Sequence, residues 1–185
     1  MNFKALLILA SLLLSTMVAS EQAHAFGGAR KDLPELETVS PFDVERYLGR
    51  WYEIASFPQS FQKGCTGTTA EYSLIDNETV RVLNSCYLNS LNGKLKQAEG
   101  KATIPDLNDP SKLEVSFFWP FSGAYWVIEL GEDYEYSVVG HPSRDYLWIL
   151  SRTPQMDEAK LQGILARTAA KGFDMSRLKR SVQPK

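Results

Sequence analysis

Thr68-Thr69-Ala70-Glu71-Tyr72-Ser73-Leu74-Ile75, Asp76-Asn77-Glu78 and Thr79-Val80-Arg81-Val82-Leu83-Asn84-Ser85-Cys86-Tyr87 read as two strands about a tight polar turn. On the first strand Ala70, Tyr72 and Leu74 share one face; on the second Val80, Val82 and Asn84 do. A period of two on both arms, with turn-forming residues between them, is the signature of a β-hairpin with one buried face.

The same pattern extends in both directions. Trp51 to Phe57 is an apolar-rich run before the hairpin, and Lys94 to Ile104 follows it, ended by Pro105-Asp106. Lys112 to Phe118 sets Leu113, Val115 and Phe117 against Lys112, Glu114 and Ser116. After a break at Pro120 to Gly123 come Ala124 to Leu130, Tyr134 to Gly140 and Asp145 to Ser151. That makes eight strand-like runs with mostly short connections and no helix between them. Such a series folds as a sandwich or as an up-and-down barrel.

The period then changes. Asp157 to Lys171 places Leu161, Ile164, Leu165 and Thr168 on one helical stripe, with acids at its start and Gly172 at its end. This helix is expected to bury that stripe on the outside of the sheet, with a short extended piece near Leu178 to Val182 at an edge. Ahead of the strands, Ser40-Pro41-Phe42-Asp43 reads as a short helical start capped by Ser40.

The first 25 residues read as an export signal: Lys4, an apolar run from Ala5 to Val18, and the small-x-small triplet Ala23-His24-Ala25. Residues 26–39 read as an irregular leader and 40–185 as one domain. Cys65 and Cys86 are the two cysteines of the chain, and export makes them a disulfide worth about 3 kcal/mol. No cysteine lies near the cleavage point to accept a lipid anchor, which favours a soluble periplasmic protein over an anchored one.

The chemistry that is missing narrows the function. A net charge of −2 with interspersed signs gives no reason to bind nucleic acid. Once the signal is removed a single histidine, His141, remains, and it precedes a proline in an apparent turn. No catalytic triad, metal-ligand spacing or phosphate-binding loop is present, so neither metal nor cofactor is expected. What is abundant is aromatic side chain, 11% of the residues. An eight-stranded barrel either fills its interior with side chains or leaves room for one small ligand. The inward candidates are Tyr72, Leu74, Val82, Asn84, Leu113, Val115, Phe117, Tyr125, Val127, Tyr136 and Val138. Alternation alone does not decide between a pocket and a filled core.

Three segments resemble the signatures of the lipocalin family: Gly49-Arg50-Trp51-Tyr52-Glu53-Ile54-Ala55, Arg144-Asp145-Tyr146-Leu147 and Leu150-Ser151-Arg152. The likeness is greatest to the bacterial lipocalins related to apolipoprotein D and runs from about Val39 to Pro184. It implies an eight-stranded antiparallel barrel with a C-terminal helix packed outside. It also implies a fatty acid or lysophospholipid as ligand, a role in envelope lipid storage or transport, and possible dimerisation. Gly49, Trp51, Asp145, Tyr146 and Arg152 take structural roles in this likeness, with Trp51 plugging the closed end and Arg152 lying over its indole. The four basic residues Arg177, Lys179, Arg180 and Lys185 leave peripheral contact with a membrane open. Two rival functions share the barrel. One is an isomerase-like enzyme using Cys65 or Cys86; the other is an inhibitor whose loops seize a partner while its interior is filled.

Overall fold

A computed structural model describes residues 33–118 and 120–185. The expected export signal lies outside the described residues. Nine strands form one sheet: β1 (Gly49–Ser56), β2 (Cys65–Asp76), β3 (Thr79–Leu88), β4 (Leu95–Thr103), β5 (Lys112–Phe118), β6 (Phe121–Leu130), β7 (Tyr136–Gly140), β8 (Leu147–Ser151) and the two-residue β9 (Lys179–Arg180). Consecutive strands from β2 to β8 pair antiparallel, β8 pairs β1, and β1 returns to β2. The first eight strands are therefore a closed barrel.

Closure depends on β1 changing partners. Gly49 to Tyr52 face β2, Tyr52 to Ser56 face β8, and a bulge between Glu53 and Ala55 bends the strand between the two. Beyond the bulge, Ala55 and Ser56 pair with β9, and Gly67 donates to the Val182 carbonyl at 2.7 Å. The chain's end thus closes the seam between β1 and β2 that the bulge opens. The disulfide joins Cys65 at the start of β2 to Cys86 on β3.

Short α1 (Val44–Tyr47) lies under one end of the barrel. Its cap is Asp43, whose carboxylate accepts from the Arg46 amide at 3.1 Å, so the cap lies three residues later than Ser40, where the sequence suggested it. Longer α2 (Glu158–Ala170) is capped by Asp157 and buries Leu161, Ile164 and Thr168. It lies outside the barrel on Ile54, Ile128, Val138 and Ile149. A separate cluster inside the barrel holds Tyr47, Trp51, Tyr72, Val82 and Val127. Among the described residues no helix is long and apolar enough to cross a membrane.

Three features differ from the sequence reading. Tyr136 and Val138 were expected to point inward, yet both belong to the outer cluster under α2. It is Ser137 and Val139 that face the interior. The strand is covered on both sides, so its Val138-Val139 pair carries no alternation to reveal which face is which. Leu74 has the expected parity and pairs with Val80 of β3, but it lies past Gly49↔Tyr72, where β1 begins, and is 42% exposed with no β1 residue alongside it. Residues 121–123 belong to β6 rather than to a long break, since Phe121 pairs with Phe118 in a tight hairpin.

Candidate functional site

One end of the barrel is closed from the sequence upward. Gly49 enters β1 at φ +86°, a backbone conformation that favours glycine. This turn brings Trp51 into the barrel, where it is fully buried and donates its indole N–H to the Tyr47 carbonyl at 2.8 Å. The Arg152 guanidinium lies 3.8 Å from the Trp51 ring centroid. It also donates to the carbonyls of Arg46, Leu48 and Arg50 at 2.7, 2.8 and 3.0 Å. One side chain therefore ties β8 to the turn between α1 and β1. Asp145 is paired with Arg177 at 3.5 Å, near the opposite end.

Above Trp51 the interior is hollow. A cavity of about 380 Å³ is walled by Ala70, Tyr72, Val82, Val115, Phe117, Tyr125, Trp148 and Leu150, among others. This lies within the usual range for a small-molecule site, and apolar lining is the usual character of such sites. Of the sequence-derived candidates, Tyr72, Val82, Asn84, Val115, Phe117 and Tyr125 line it together. Leu113 instead lines a small hollow beneath, and Val127 is fully buried in the inner core. Leu74, Tyr136 and Val138 lie elsewhere, as described. Tyr146, expected as a structural residue, also lines the cavity.

Polar side chains interrupt the apolar lining. At the open end Gln62, on a 3-10 turn (Ser60–Gln62), donates to the Glu53 carboxylate at 2.8 Å and accepts from the Trp148 indole N–H at 3.2 Å. Glu53 is buried and also accepts from the hydroxyls of Ser56 and Ser181. Burial lowers the pKa of the His141 imidazole, favouring its uncharged form. At the deep end the hydroxyls of Tyr72, Tyr125, Tyr47 and Ser137 form a chain with spacings of 2.8, 2.9 and 2.9 Å. Burial pushes the Tyr47 phenol up to about 12 and raises those of Tyr72 and Tyr125 as well, so all three remain protonated at neutral pH.

Sequence reasoning missed Glu53, Gln62, Phe61 and Trp148 as lining residues. Trp148 was accessible from the alternation Tyr146, Trp148, Leu150 leading into β8. Gln62 and Phe61 lie on an irregular turn with no periodicity to expose them. The rim carries Phe61, Phe118 and Phe121, at 56%, 79% and 76% exposure. Among the described residues no cluster of His, Cys, Asp or Glu is arranged to hold a metal, and neither cysteine is a free thiol.

The lipocalin-like domain family matches residues 42–183, nearly all of the described chain. The chain belongs to the lipocalin family. This lipocalin is 45% identical over 146 residues to the outer membrane lipoprotein Blc of Escherichia coli K12, covering 79% of this chain and 82% of the relative. It is 42% identical over 158 residues to temperature-induced lipocalin-1 of Arabidopsis thaliana, covering 80% and 83%. Among solved structures, insecticyanin from the tobacco hornworm Manduca sexta superposes with a TM-score of 0.63 at 24% identity, covering 83% and 87%. That last likeness speaks to the shared barrel alone.

Proposed function

We propose that this lipocalin carries one amphipathic lipid, a fatty acid or lysophospholipid, with its acyl chain in the barrel and its polar head at the mouth. The observation that carries this reading is the apolar cavity of about 380 Å³ above Trp51. Each methylene transferred from water into it contributes about 0.8 kcal/mol before the cost of association. Gln62, Asn84 and Thr68, toward the open end, offer hydrogen bonds to a head group. The apolar rim of Phe61, Phe118 and Phe121 suits uptake from a lipid surface. The basic tail suits it less: Arg180 is held by Glu158 at 2.6 Å and Arg177 lies over the Phe57 ring. A setting in the cell envelope is supported by the name of the bacterial relative, an outer membrane lipoprotein, and by the signal-like first 25 residues. The lipocalin works as a store or shuttle and catalyses no reaction.

The test is calorimetric titration of delipidated protein with a lysophospholipid at several temperatures. The expected result is saturation at one lipid per chain with a negative heat-capacity change, the mark of apolar burial. Absence of saturable binding at micromolar protein, in a sample whose circular dichroism reports an intact β-fold, would sink the carrier reading.

A further inference from the structure

The floor of the cavity contains more hydrogen-bond donors than it uses. Four hydroxyls form the chain Ser137–Tyr47–Tyr125–Tyr72, and each carries one proton. Three links consume three protons. The fourth has no partner among the described residues, whichever way the chain is polarised. Ser137 is fully buried and Tyr47 is 5% exposed, inside the closed end, where a surplus proton meets nothing. Tyr72 and Tyr125 both line the cavity. Rotation of the hydroxyls moves the surplus proton along the chain, so it comes to rest at whichever end supplies an acceptor. Only the cavity end can receive one from outside.

Two features make this donor persistent. Burial holds the phenols in their protonated form, so the count does not change at physiological pH. The Arg152 cation lies behind the floor, over Trp51, and Trp51 in turn is tilted against Tyr47 at 4.9 Å between centroids. A positive charge behind and an O–H in front both favour an electron-rich atom at the bottom of the cavity. Val82, Val115 and Phe117 in the surrounding wall carry no polar side-chain atom.

We infer that the Tyr72–Tyr125 floor is a donor subsite that selects amphiphiles carrying an oxygen, a hydroxyl or carbonyl, at the distal end of the acyl chain. This rests on the carrier reading and narrows it from any acyl chain to one with an oxygenated tail. A plain methyl terminus fits the space but leaves the surplus proton unpaired or displaces a water that would have taken it.

The experiment compares hexadecanoic acid with 16-hydroxyhexadecanoic acid as probes for the delipidated full chain, in the wild type and in the Tyr72→Phe/Tyr125→Phe variant. A wholly apolar floor would disfavour the added hydroxyl by about a hundredfold. The expected wild-type result is that the hydroxylated probe binds at least as tightly as the plain one. In the variant the ratio of the two affinities should move at least about tenfold toward the plain acid, equal to about 1.4 kcal/mol. The readout is a ratio within one protein, so a partial loss of folded variant cancels, and the wild-type comparison stands if the variant does not fold. If hexadecanoic acid binds and the hydroxylated probe is about a hundredfold weaker, or if the variant leaves the ratio unchanged, the donor subsite is refuted while the carrier reading survives. If neither probe binds the wild type, both fall together.

Discussion

Replacing Arg152 by methionine should uncouple the closed end of the barrel. The guanidinium donates to three carbonyls at 2.7, 2.8 and 3.0 Å and reaches a fourth, that of Tyr134, at 3.3 Å. The first three carbonyls belong to α1, the turn that follows it and the start of β1, and the fourth to the connection between β6 and β7. Because the site is only partly buried, each of the three short bonds is taken at about 1 kcal/mol, below the range for buried charged bonds. The stacking on Trp51 adds about 1 kcal/mol. Methionine covers the indole but donates nothing, so the expected loss is about 3–4 kcal/mol. In urea, with a slope of about 2 kcal/mol per molar, the midpoint falls by about 1.5–2 M at unchanged slope. Arg152→Lys should lose roughly half as much, since the ammonium retains the charge but not the planar fork that serves several carbonyls at once. Equilibrium unfolding followed by tryptophan fluorescence measures both. A methionine variant within about 1 kcal/mol of the parent would show that the barrel's closed end is held by apolar contact alone, and the account of Arg152 as its latch would be wrong.

Other consequences are equally direct. Stability should fall as pH rises from 10 toward 12. Over that window an unfolded chain releases its tyrosine protons, whereas the Tyr47 phenol, pushed up to about 12, holds its own, and this single group accounts for about 3 kcal/mol; a flat urea midpoint from pH 8 to 11 would contradict it. Replacing both Cys65 and Cys86 by serine removes a cross-link spanning 21 residues, so a loss of about 3 kcal/mol is expected by thermal unfolding, and titration of the unreduced native protein should find no reactive thiol. Asp157→Ala removes the carboxylate that accepts from the Lys160 amide at 2.9 Å, a loss of about 1 kcal/mol read as a lower Tm, while Asp157→Asn should retain most of that cap.

The strands were legible because both arms of the β2–β3 hairpin, and β5, have one apolar and one polar face, which is what a barrel wall between core and water requires. The helix was legible for the analogous reason at its own period. Legibility failed where the environment is not two-sided. β7 lies between the inner core and α2, so Val138 and Val139 are both buried and pattern alone assigned the wrong one to the interior. At Leu74 the parity was right but alternation says nothing about where a barrel ends; that is fixed by where β1 begins. The polar groups of the site were the least accessible. Glu53 is a carboxylate on an apolar-rich strand, and Gln62 lies on an irregular turn, yet they meet through a hydrogen bond of 2.8 Å. The hydroxyl chain joins Tyr47 to residues 78 and 90 positions away, a proximity created only by barrel closure.

The central claim is that the acyl chain lies inside the barrel, and methyl-labelled NMR of the protein with a bound lysophospholipid tests it most directly. Val82 and Val115 line the cavity, whereas Val138 lies on the far side of the wall beneath α2. The account predicts intermolecular Overhauser contacts from the acyl methylenes to the methyls of Val82 and Val115, shift changes at the same groups, and an undisturbed Val138. Contacts confined to the exterior, with Val82 and Val115 unchanged at saturating lipid, would contradict it.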